Sequence, residues 1–204
     1  TLAKALKRLG RNEQANQFAA AARDVHDQFQ RHLLKDGTVT GFAYFHDGDR
    51  IDYLLHPRDE ATGVSYSLLP MIHAIINDLL TPGQARKHLD IINTHLLGPD
   101  GARLFDRPME YRGGPQKFFQ RAESASFFGR EIGLMYTHAH LRYAEALARY
   151  GDAEGFFLAL CQANPIGIRS IVPAATLRQA NCYYSSSDGA VADRYEAFLE
   201  YDRV

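Results

Sequence analysis

Hydrophobic positions recur at helical spacing along most of the chain, and this pattern predicts a mainly helical protein. Residues 12–34 carry apolar side chains three and four positions apart, which predicts a long helix, and the K-D-G that follows predicts its C-terminal cap. A second helix is predicted to start with Thr81 as N-cap and Pro82 at the first helical position. Its apolar stripe consists of Ala85, Leu89, Ile92 and Leu96.

Several further segments show clear patterns. Residues 67–80 are almost entirely apolar, which predicts a buried helix. Residues 38–50 alternate and end in an Asp-Gly turn signal, which predicts strand or extended chain. Residues 125–150 predict one long helix that ends at Gly151, and the next helix is predicted to start at Asp152. From Pro165 onward the sequence is typical of loops.

Amphipathic helices thus alternate with nearly all-apolar ones, and long polar loops join them. This alternation suits a toroid of helix pairs, in which inner helices are buried and outer helices half exposed. A two-layer helical domain is the alternative. The chain shows no repeat period of the kind that marks a simple array.

Composition narrows the function classes. The chain has 204 residues, 46% hydrophobic and 23% charged, as in soluble globular proteins, and a net charge of -1 gives no electrostatic reason to expect nucleic acid or membrane as a partner. Two cysteines form neither a zinc set nor a disulfide framework, which favours a reduced, cytoplasmic location. The chain lacks an initiator Met, and helical periodicity starts at Leu2, so we expect a piece of a longer polypeptide.

The segment 121–140 places charged residues inside an apolar helical pattern. On one continuous helix, Glu131 and His138 would share a face, because positions seven apart lie within about 20° of each other. Buried charges need partners or ligands, so this strip either lines a polar cavity or forms a network of structural ion pairs. Its candidate residues are Arg121, Glu123, Arg130, Glu131 and His138.

Two polar loops are further candidates. Residues 56–63 collect His56, Arg58, Asp59 and Glu60 ahead of an apolar helix, which indicates either a pocket mouth or a solvated run with capping roles. Residues 106–115 combine charged forks with an aromatic ring, which suits sugar binding, although a plain surface loop has the same composition. Arg107 and Tyr111 are the candidates there.

Several classes of site have no support in the sequence. No H-E-x-x-H, P-loop or G-x-G-x-x-G motif is present, so we expect neither a metal site nor nucleotide binding. The Ser-Ser-Ser-Asp stretch that ends at Asp188 lies outside any G-x-S-x-G elbow, which argues against a serine nucleophile. Two interpretations remain for that stretch: it forms a turn, or it binds an anion or sugar hydroxyls.

Four segments carry a resemblance to a known family. The strings HPRDEATGVSYSLLPM, PDGARLFDRPMEYRGG, AESASFFGREIGLMYTHAH and YYSSSD with the later DRYEA resemble, in order and spacing, the C-terminal part of the catalytic domain of the 1,2-β-oligoglucan phosphorylases. These enzymes belong to glycoside hydrolase family 94. The likeness is clearest from about residue 51 to residue 197.

The resemblance implies an (α/α)6 barrel and an inverting phosphorolysis of β-1,2-linked glucooligosaccharides. Inorganic phosphate is the co-substrate, no cofactor is expected, and the products are α-glucose 1-phosphate and a shortened glucan. The Thr-His-Ala motif implies that His138 contacts phosphate, and the charge of Arg130 suits the same anion. Glu131 takes the position of a glutamate of the glycone pocket, although the motif reads R-E-I-G here. By analogy, the two loops and the strip residues Arg121 and Glu123 lie toward the glucan.

Departures from the family pattern limit what this chain is expected to do. The family's general acid is an aspartate in a Gly-Asp-Trp-Asn-Asp-like segment, and this chain contains no Trp. We therefore expect residues 1–204 to form a partial barrel domain truncated at both ends, inactive alone and associating with the remainder or with itself. The alternatives are a non-catalytic carbohydrate-binding or scaffold piece, and the phosphorylase-like domain of a cyclic β-1,2-glucan synthase.

Overall fold

The computed structural model describes residues 1–48, 50–98, 101–107, 109, 114–118, 135–164 and 170. Helices dominate these ranges, so the prediction of a mainly helical fold is confirmed, while the closed (α/α)6 barrel stays a prediction. The helices are α1 (Leu2–Arg8), α2 (Asn12–Gln28, continued by a wider π turn over Phe29–Leu33), α3 (Leu68–Ile76), α4 (Pro82–His95), α5 (Thr137–Tyr150) and α6 (Ala153–Ala163).

Short antiparallel hairpins lie between the helices. They pair β1 (Leu34–Lys35) with β2 (Thr38–Val39), β3 (Phe42–Phe45) with β4 (Ile51–Leu54), and β5 (Leu97–Gly98) with β6 (Gly101–Ala102). The strands predicted within residues 38–50 are thereby confirmed.

The predicted helix cap at K-D-G is wrong. The preceding helix ends at Leu33, and Asp36 and Gly37 form the turn of the β1–β2 hairpin with φ of 50° and 73°. Two successive residues with positive φ match the twist of a tight hairpin, which explains why an Asp-Gly pair stands here.

Helix α3 lies at the centre of the core. Leu68, Met71 and Ile72 have no exposed surface, and the helix packs against α5 and α4, so the predicted buried helix is confirmed. The start and the stripe of α4 are confirmed too. The Thr81 hydroxyl accepts from the Gln84 N–H while the Gln84 side chain accepts from the Thr81 N–H, a capping box. The stripe of α4 is buried throughout: Ala85, Leu89, Ile92 and Leu96.

The prediction of one continuous helix over residues 125–150 is wrong at Tyr136. Helix α5 begins at Thr137, and Tyr136 before it has extended backbone angles, with φ -96° and ψ 105°. This extended residue follows Met135, which is 1% exposed and lies so close to Gly101 that a Cβ there would be 2.6 Å from the Met135 Cγ. A tertiary contact thus outweighs the local helical pattern.

The predicted junction between the last two helices is confirmed. Gly151 ends α5 in the left-handed conformation at φ 98°, and Asp152 caps α6 by accepting from the Gly155 N–H at 2.8 Å. Apolar side chains are exposed on helices α2 and α6. Phe18 and Val25 of α2 are 48% and 61% exposed, and Phe157 and Leu158 of α6 are 65% and 54% exposed.

Three buried histidines in the described ranges fasten loops and hairpins to one another. The His88 ring on α4 accepts from the Val39 N–H of β2 at 3.0 Å and contacts the Gln84 carbonyl at 2.7 Å. His140 on α5 accepts from the Ala102 N–H of β6 at 3.0 Å and contacts the Ala159 carbonyl of α6 at 2.8 Å. The third, His56, belongs to the cleft described next.

Candidate functional site

An open cleft of about 1110 Å³ lies beside the β3–β4 hairpin. Its walls are that hairpin, the loop that follows β4, and residues 117 and 118. The loop is one of the two polar candidate loops, and its polar side chains lie on the cleft, which is one of the two interpretations that the sequence leaves open. The cleft combines aromatic rings and charges of both signs: Tyr44, Tyr53 and Phe118, with Lys35, His46, Arg50, Asp52, Arg58, Asp59, Glu60 and Lys117.

A strained turn at Leu55 carries the chain from β4 into the loop. Leu55 has φ of 53°, although it is not glycine, and it is 2% exposed. Gly41 packs against it so closely that a Cβ there would be 2.6 Å from the Leu55 Cβ. The Gly41 N–H also donates to the Leu54 carbonyl at 3.1 Å. The turn is therefore fixed by a close backbone approach, which only glycine allows.

The carboxylate of Asp59 organises the loop from inside. One oxygen accepts from the Leu55 N–H at 2.8 Å and from the Thr62 hydroxyl. The other accepts from the backbone N–H groups of Ala61 and Thr62, each at 2.9 Å. The side chain is thus saturated with donors, and the whole residue is only 9% exposed.

His56 ties the same loop to the neighbouring hairpin. It is 1% exposed, its Nδ1 accepts from the Arg58 N–H at 3.1 Å, and its Nε2 lies 3.0 Å from the Lys35 carbonyl. Burial lowers the pKa of His56, which favours the neutral ring. The two contacts then assign the proton to Nε2, because a carbonyl only accepts. The predicted capping role therefore holds for His56 and Asp59, whereas Arg58 and Glu60 are exposed on the cleft.

Charges on the hairpin side of the cleft are arranged in pairs. Arg50 contacts both oxygens of Asp52, at 3.2 and 2.9 Å, and His46 contacts one of them at 2.7 Å. Hydrogen bonds from Arg50, and then from His46, lower the pKa of the Asp52 carboxyl. Across the loop, Arg58 pairs with Asp36 at 2.5 Å. All these groups are substantially exposed, so the pairs contribute little to stability and are open to a polar ligand.

The aromatic rings supply apolar faces in the same cleft. Tyr53 is half-buried, with the Lys35 ammonium 5.9 Å from its ring centre, and Phe118 is 38% exposed. Tyr44 is 48% exposed and stands directly opposite Asp52 across the β3–β4 pair. Rings beside hydrogen-bonding charges form the arrangement that suits a sugar, which presents both apolar ring faces and hydroxyls.

The second predicted loop is fastened to the first. Asp106 accepts from the backbone N–H groups of Ser65 and Tyr66, each at 2.9 Å, and Ser67 forms an isolated β-bridge with Phe105. Arg107 is exposed and pairs with Asp106 at 3.3 Å. The fold therefore brings the start of the 106–115 loop to the end of the 56–67 segment. Tyr111 lies outside the described residues.

The predicted phosphate strip is only partly within the described residues. His138 lies in the first turn of α5, is exposed, and has its ring centre 6.1 Å from that of Tyr136. The extended Tyr136 interrupts the helix, so the argument that Glu131 and His138 share one helical face is wrong. The contacts proposed for His138 stay a prediction. The strip residues outside the described ranges are Arg121, Glu123, Arg130 and Glu131.

Sequence reasoning missed the hairpin side of the cleft, chiefly Tyr44, Tyr53 and Asp52. The available signal was the alternation over residues 38–50 with its Asp-Gly turn, which predicts a hairpin and hence opposed side chains. Lys117 and Phe118 follow a Gly-Gly-Pro turn and carried no pattern of their own.

Comparison with known proteins found one informative relative. The chain is 43% identical over 188 residues to 1,2-β-oligoglucan phosphorylase of Listeria innocua, and the match covers 92% of this chain. This chain is a relative of 1,2-β-oligoglucan phosphorylase. The resemblance predicted from the four motif segments is thereby confirmed. The match spans 17% of the length of the Listeria enzyme.

Two other observations add little. No protein-family model matches the chain. Within the described residues, none of the helices combines the length and the apolar character that crossing a membrane requires.

Proposed function

We propose that this chain forms one part of a phosphorylase that acts on β-1,2-linked glucooligosaccharides, in glycoside hydrolase family 94. The observation that carries the proposal is the 43% identity to 1,2-β-oligoglucan phosphorylase across 92% of the chain. The mainly helical fold and the polar, aromatic-lined cleft are compatible with it. The (α/α)6 barrel belongs to the same proposal, in which further barrel helices cover the exposed apolar faces of α2 and α6.

In the proposed reaction, phosphate attacks the anomeric carbon of a terminal glucose while a carboxylic acid protonates the departing glycosidic oxygen. The C–O bond to phosphate forms with inversion, and the products are α-glucose 1-phosphate and a glucan shorter by one unit. This is the inverting glycosidase scheme with phosphate in place of water. Phosphate is already anionic, so it needs positive charge and positioning rather than a second carboxylate base.

The general acid is proposed to lie outside these 204 residues. Asp59 on the cleft and Asp106 in the neighbouring loop are unsuited to the role, because their carboxylates accept hydrogen bonds and an acid must donate. Asp59 accepts from Leu55, Ala61 and Thr62. Asp106 accepts from Ser65 and Tyr66.

Phosphate is proposed to bind at the start of α5. His138 is exposed in the first helical turn there, and the partial positive charge of a helix N-terminus attracts anions. Arg130 would add positive charge. Inorganic phosphate is the co-substrate in this proposal, and no cofactor takes part.

The oligosaccharide is proposed to bind along the cleft. Tyr44 and Phe118 offer ring faces, and Arg58 and Glu60 offer charged hydrogen-bonding groups. The residues proposed from the sequence to contact the glucan are Arg107, Tyr111, Arg121, Glu123 and Glu131.

The test is phosphorolysis by the complete open reading frame that contains this chain. With sophorose oligomers and phosphate, we expect release of α-glucose 1-phosphate, and the 204-residue chain alone should release none because it lacks the acid. A reading frame with no upstream Gly-Asp-Trp-Asn-Asp-like segment, or a complete protein that leaves these oligomers intact, would count against the proposal. Release by the isolated chain would refute the placement of the acid.

A non-catalytic carbohydrate-binding role is the second candidate. The commitment of Asp52, Asp59 and Asp106 to accepting hydrogen bonds favours it, because none of these three carboxylates is then suited to protonate a departing oxygen. Calorimetry distinguishes the two functions. Binding of β-1,2-glucan that is unaffected by phosphate supports a binding module. Activity of the complete protein on a series of other β-linked disaccharides distinguishes a 1,2-β-oligoglucan phosphorylase from a cyclic glucan synthase domain and from another phosphorylase.

A further inference from the structure

The loop between β4 and α3 is held by a buried carboxylate that the proposed reaction leaves unused. Residues 55–62 leave the hairpin through the strained Leu55 turn and present Pro57, Arg58, Glu60 and Ala61 to the cleft. Loops that carry binding residues need a support that fixes their shape. In this loop the support that joins the beginning to the end is the carboxylate of Asp59, and the His56 ring adds the bond to the Arg58 N–H.

The hydrogen bonds of Asp59 close the loop on itself. They join Leu55 at its beginning to Ala61 and Thr62 at its end, and the Asp59 N–H donates to the His56 carbonyl at 2.8 Å. The Thr62 hydroxyl, which donates to the carboxylate, also accepts from the N–H of the fully buried Val64 at 3.2 Å. The loop is thereby anchored to the core at its far end.

The same bonds hold the strained residue in place. Leu55 keeps its left-handed backbone because its N–H is bound by the Asp59 carboxylate while Gly41 packs against its Cβ. Without the carboxylate, we expect the Leu55 backbone to relax from positive φ to an ordinary negative φ. Such a change would alter the direction of the chain and hence the orientation of the residues that follow. Arg58 and Glu60 follow within five positions.

We propose that Asp59 is a positioning residue for oligosaccharide binding, which sets Arg58 and Glu60 on the wall of the cleft. The inference rests on the proposed function, since it assigns the glucan to this cleft. Asp59 acts through the loop: its oxygens are occupied by donors of the loop itself, so the sugar contacts fall to the residues on either side of it in sequence.

The decisive experiment is steady-state phosphorolysis by the complete protein carrying Asp59→Ala. We expect the KM for β-1,2-glucooligosaccharide to rise about tenfold while kcat stays within about threefold and the KM for phosphate is unchanged, because binding geometry is lost and the chemistry is not. A purely structural role would reduce the active fraction and so lower the rate with both substrates alike. An unchanged glucan KM, or equal losses for glucan and phosphate, overturns the inference.

Two graded variants guard against a protein that does not fold. Asp59→Asn keeps an acceptor for Ala61 and Thr62 but places a donor opposite the Leu55 N–H, so its glucan KM should lie between those of wild type and Asp59→Ala. Thr62→Val removes one donor and should raise the glucan KM about twofold to fourfold, in the same direction. A glucan KM at the wild-type value in both graded variants also overturns the inference.

Asp47→Asn is the matched control, because Asp47 is exposed in the β3–β4 turn and does not line the cleft. It should behave as wild type, and a rise in its glucan KM equal to that of Asp59→Asn would refute a specific role for Asp59. Failure of the proposed function looks different. A wild-type protein without phosphorolysis refutes that function and this inference together, whereas an active wild type with a normal Asp59→Ala refutes the inference alone.

Discussion

His138 and His140 stand two residues apart on α5 and meet opposite surroundings. His140 has no exposed surface and contacts Ala102 and Ala159 through its two ring nitrogens. His138 is exposed in the first turn of the helix, beside the Tyr136 ring. Positions two apart on a helix point to nearly opposite sides. This T-H-A-H motif therefore contains one buried, structural histidine and one exposed histidine that a ligand can reach. Residue type alone does not distinguish them.

The largest expected effect is the loss of stability in His140→Ala. Removing the ring leaves the Ala102 N–H and the Ala159 carbonyl buried without these partners, which should lower the free energy of unfolding by about 3 kcal/mol. Urea unfolding of the chain, followed by circular dichroism, measures it.

His140→Gln provides the control for this prediction. The glutamine amide reaches about as far as Nε2, so it can keep the contact with Ala159 while losing the one with Ala102, and about half of the stability should return. A loss below about 1 kcal/mol in His140→Ala would show that solvent replaces both partners at no cost, and the contrast with His138 would fail.

An intermediate effect is expected from acid. Burial lowers the pKa of His88 and of His56 in the folded chain, so the unfolded chain, with an ordinary histidine pKa of about 6.5, binds protons at higher pH than the folded chain does. Stability should therefore be full above about pH 6.5 and should fall as the pH drops below it. Urea midpoints measured from pH 7.5 to 5 give the dependence.

His88→Gln isolates one histidine from the rest. The glutamine oxygen can accept from the Val39 N–H in place of Nε2, but it does not titrate in this range, so the fall in midpoint between pH 7 and pH 5 should be smaller than in wild type. Identical slopes in the two proteins would assign the acid sensitivity to other groups and would remove His88 from the set of buried, neutral histidines.

Local signals predicted the parts of the fold that depend on local chemistry. Thr81 and Pro82 start α4 as predicted, and Gly151 ends α5, because capping and left-handed turns are decided within a few residues. The start of α5 was not predictable in this way. It depends on Met135 packing against Gly101, which is distant in sequence.

The candidate site also has one part that the local sequence predicts and another that depends on tertiary structure. The 56–63 loop was recognisable because its charges are concentrated before an apolar helix. Tyr44 and Asp52 were not, because they become one side of a cleft only when β3 pairs with β4. The structural roles of His56 and Asp59 required knowledge of where the Lys35 carbonyl and the Leu55 N–H lie.

The smallest stability effect, and the most specific functional one, is expected from His138→Ala. Because the ring is exposed, the free energy of unfolding should change by less than about 0.5 kcal/mol. In the complete protein, however, the KM for phosphate should rise about tenfold with little change in the KM for glucan, since His138 is proposed to bind phosphate and not glucan.

His73→Ala is the matched control, because His73 is also an exposed helical histidine, on α3, and has no assigned role in the site. Its two KM values should equal those of wild type. If His138→Ala raised the KM for glucan as much as the KM for phosphate, the ring would be shaping the site rather than binding the anion. If it lowered stability as much as His140→Ala, both histidines would be structural, and the assignment of different roles to His138 and His140 would be wrong.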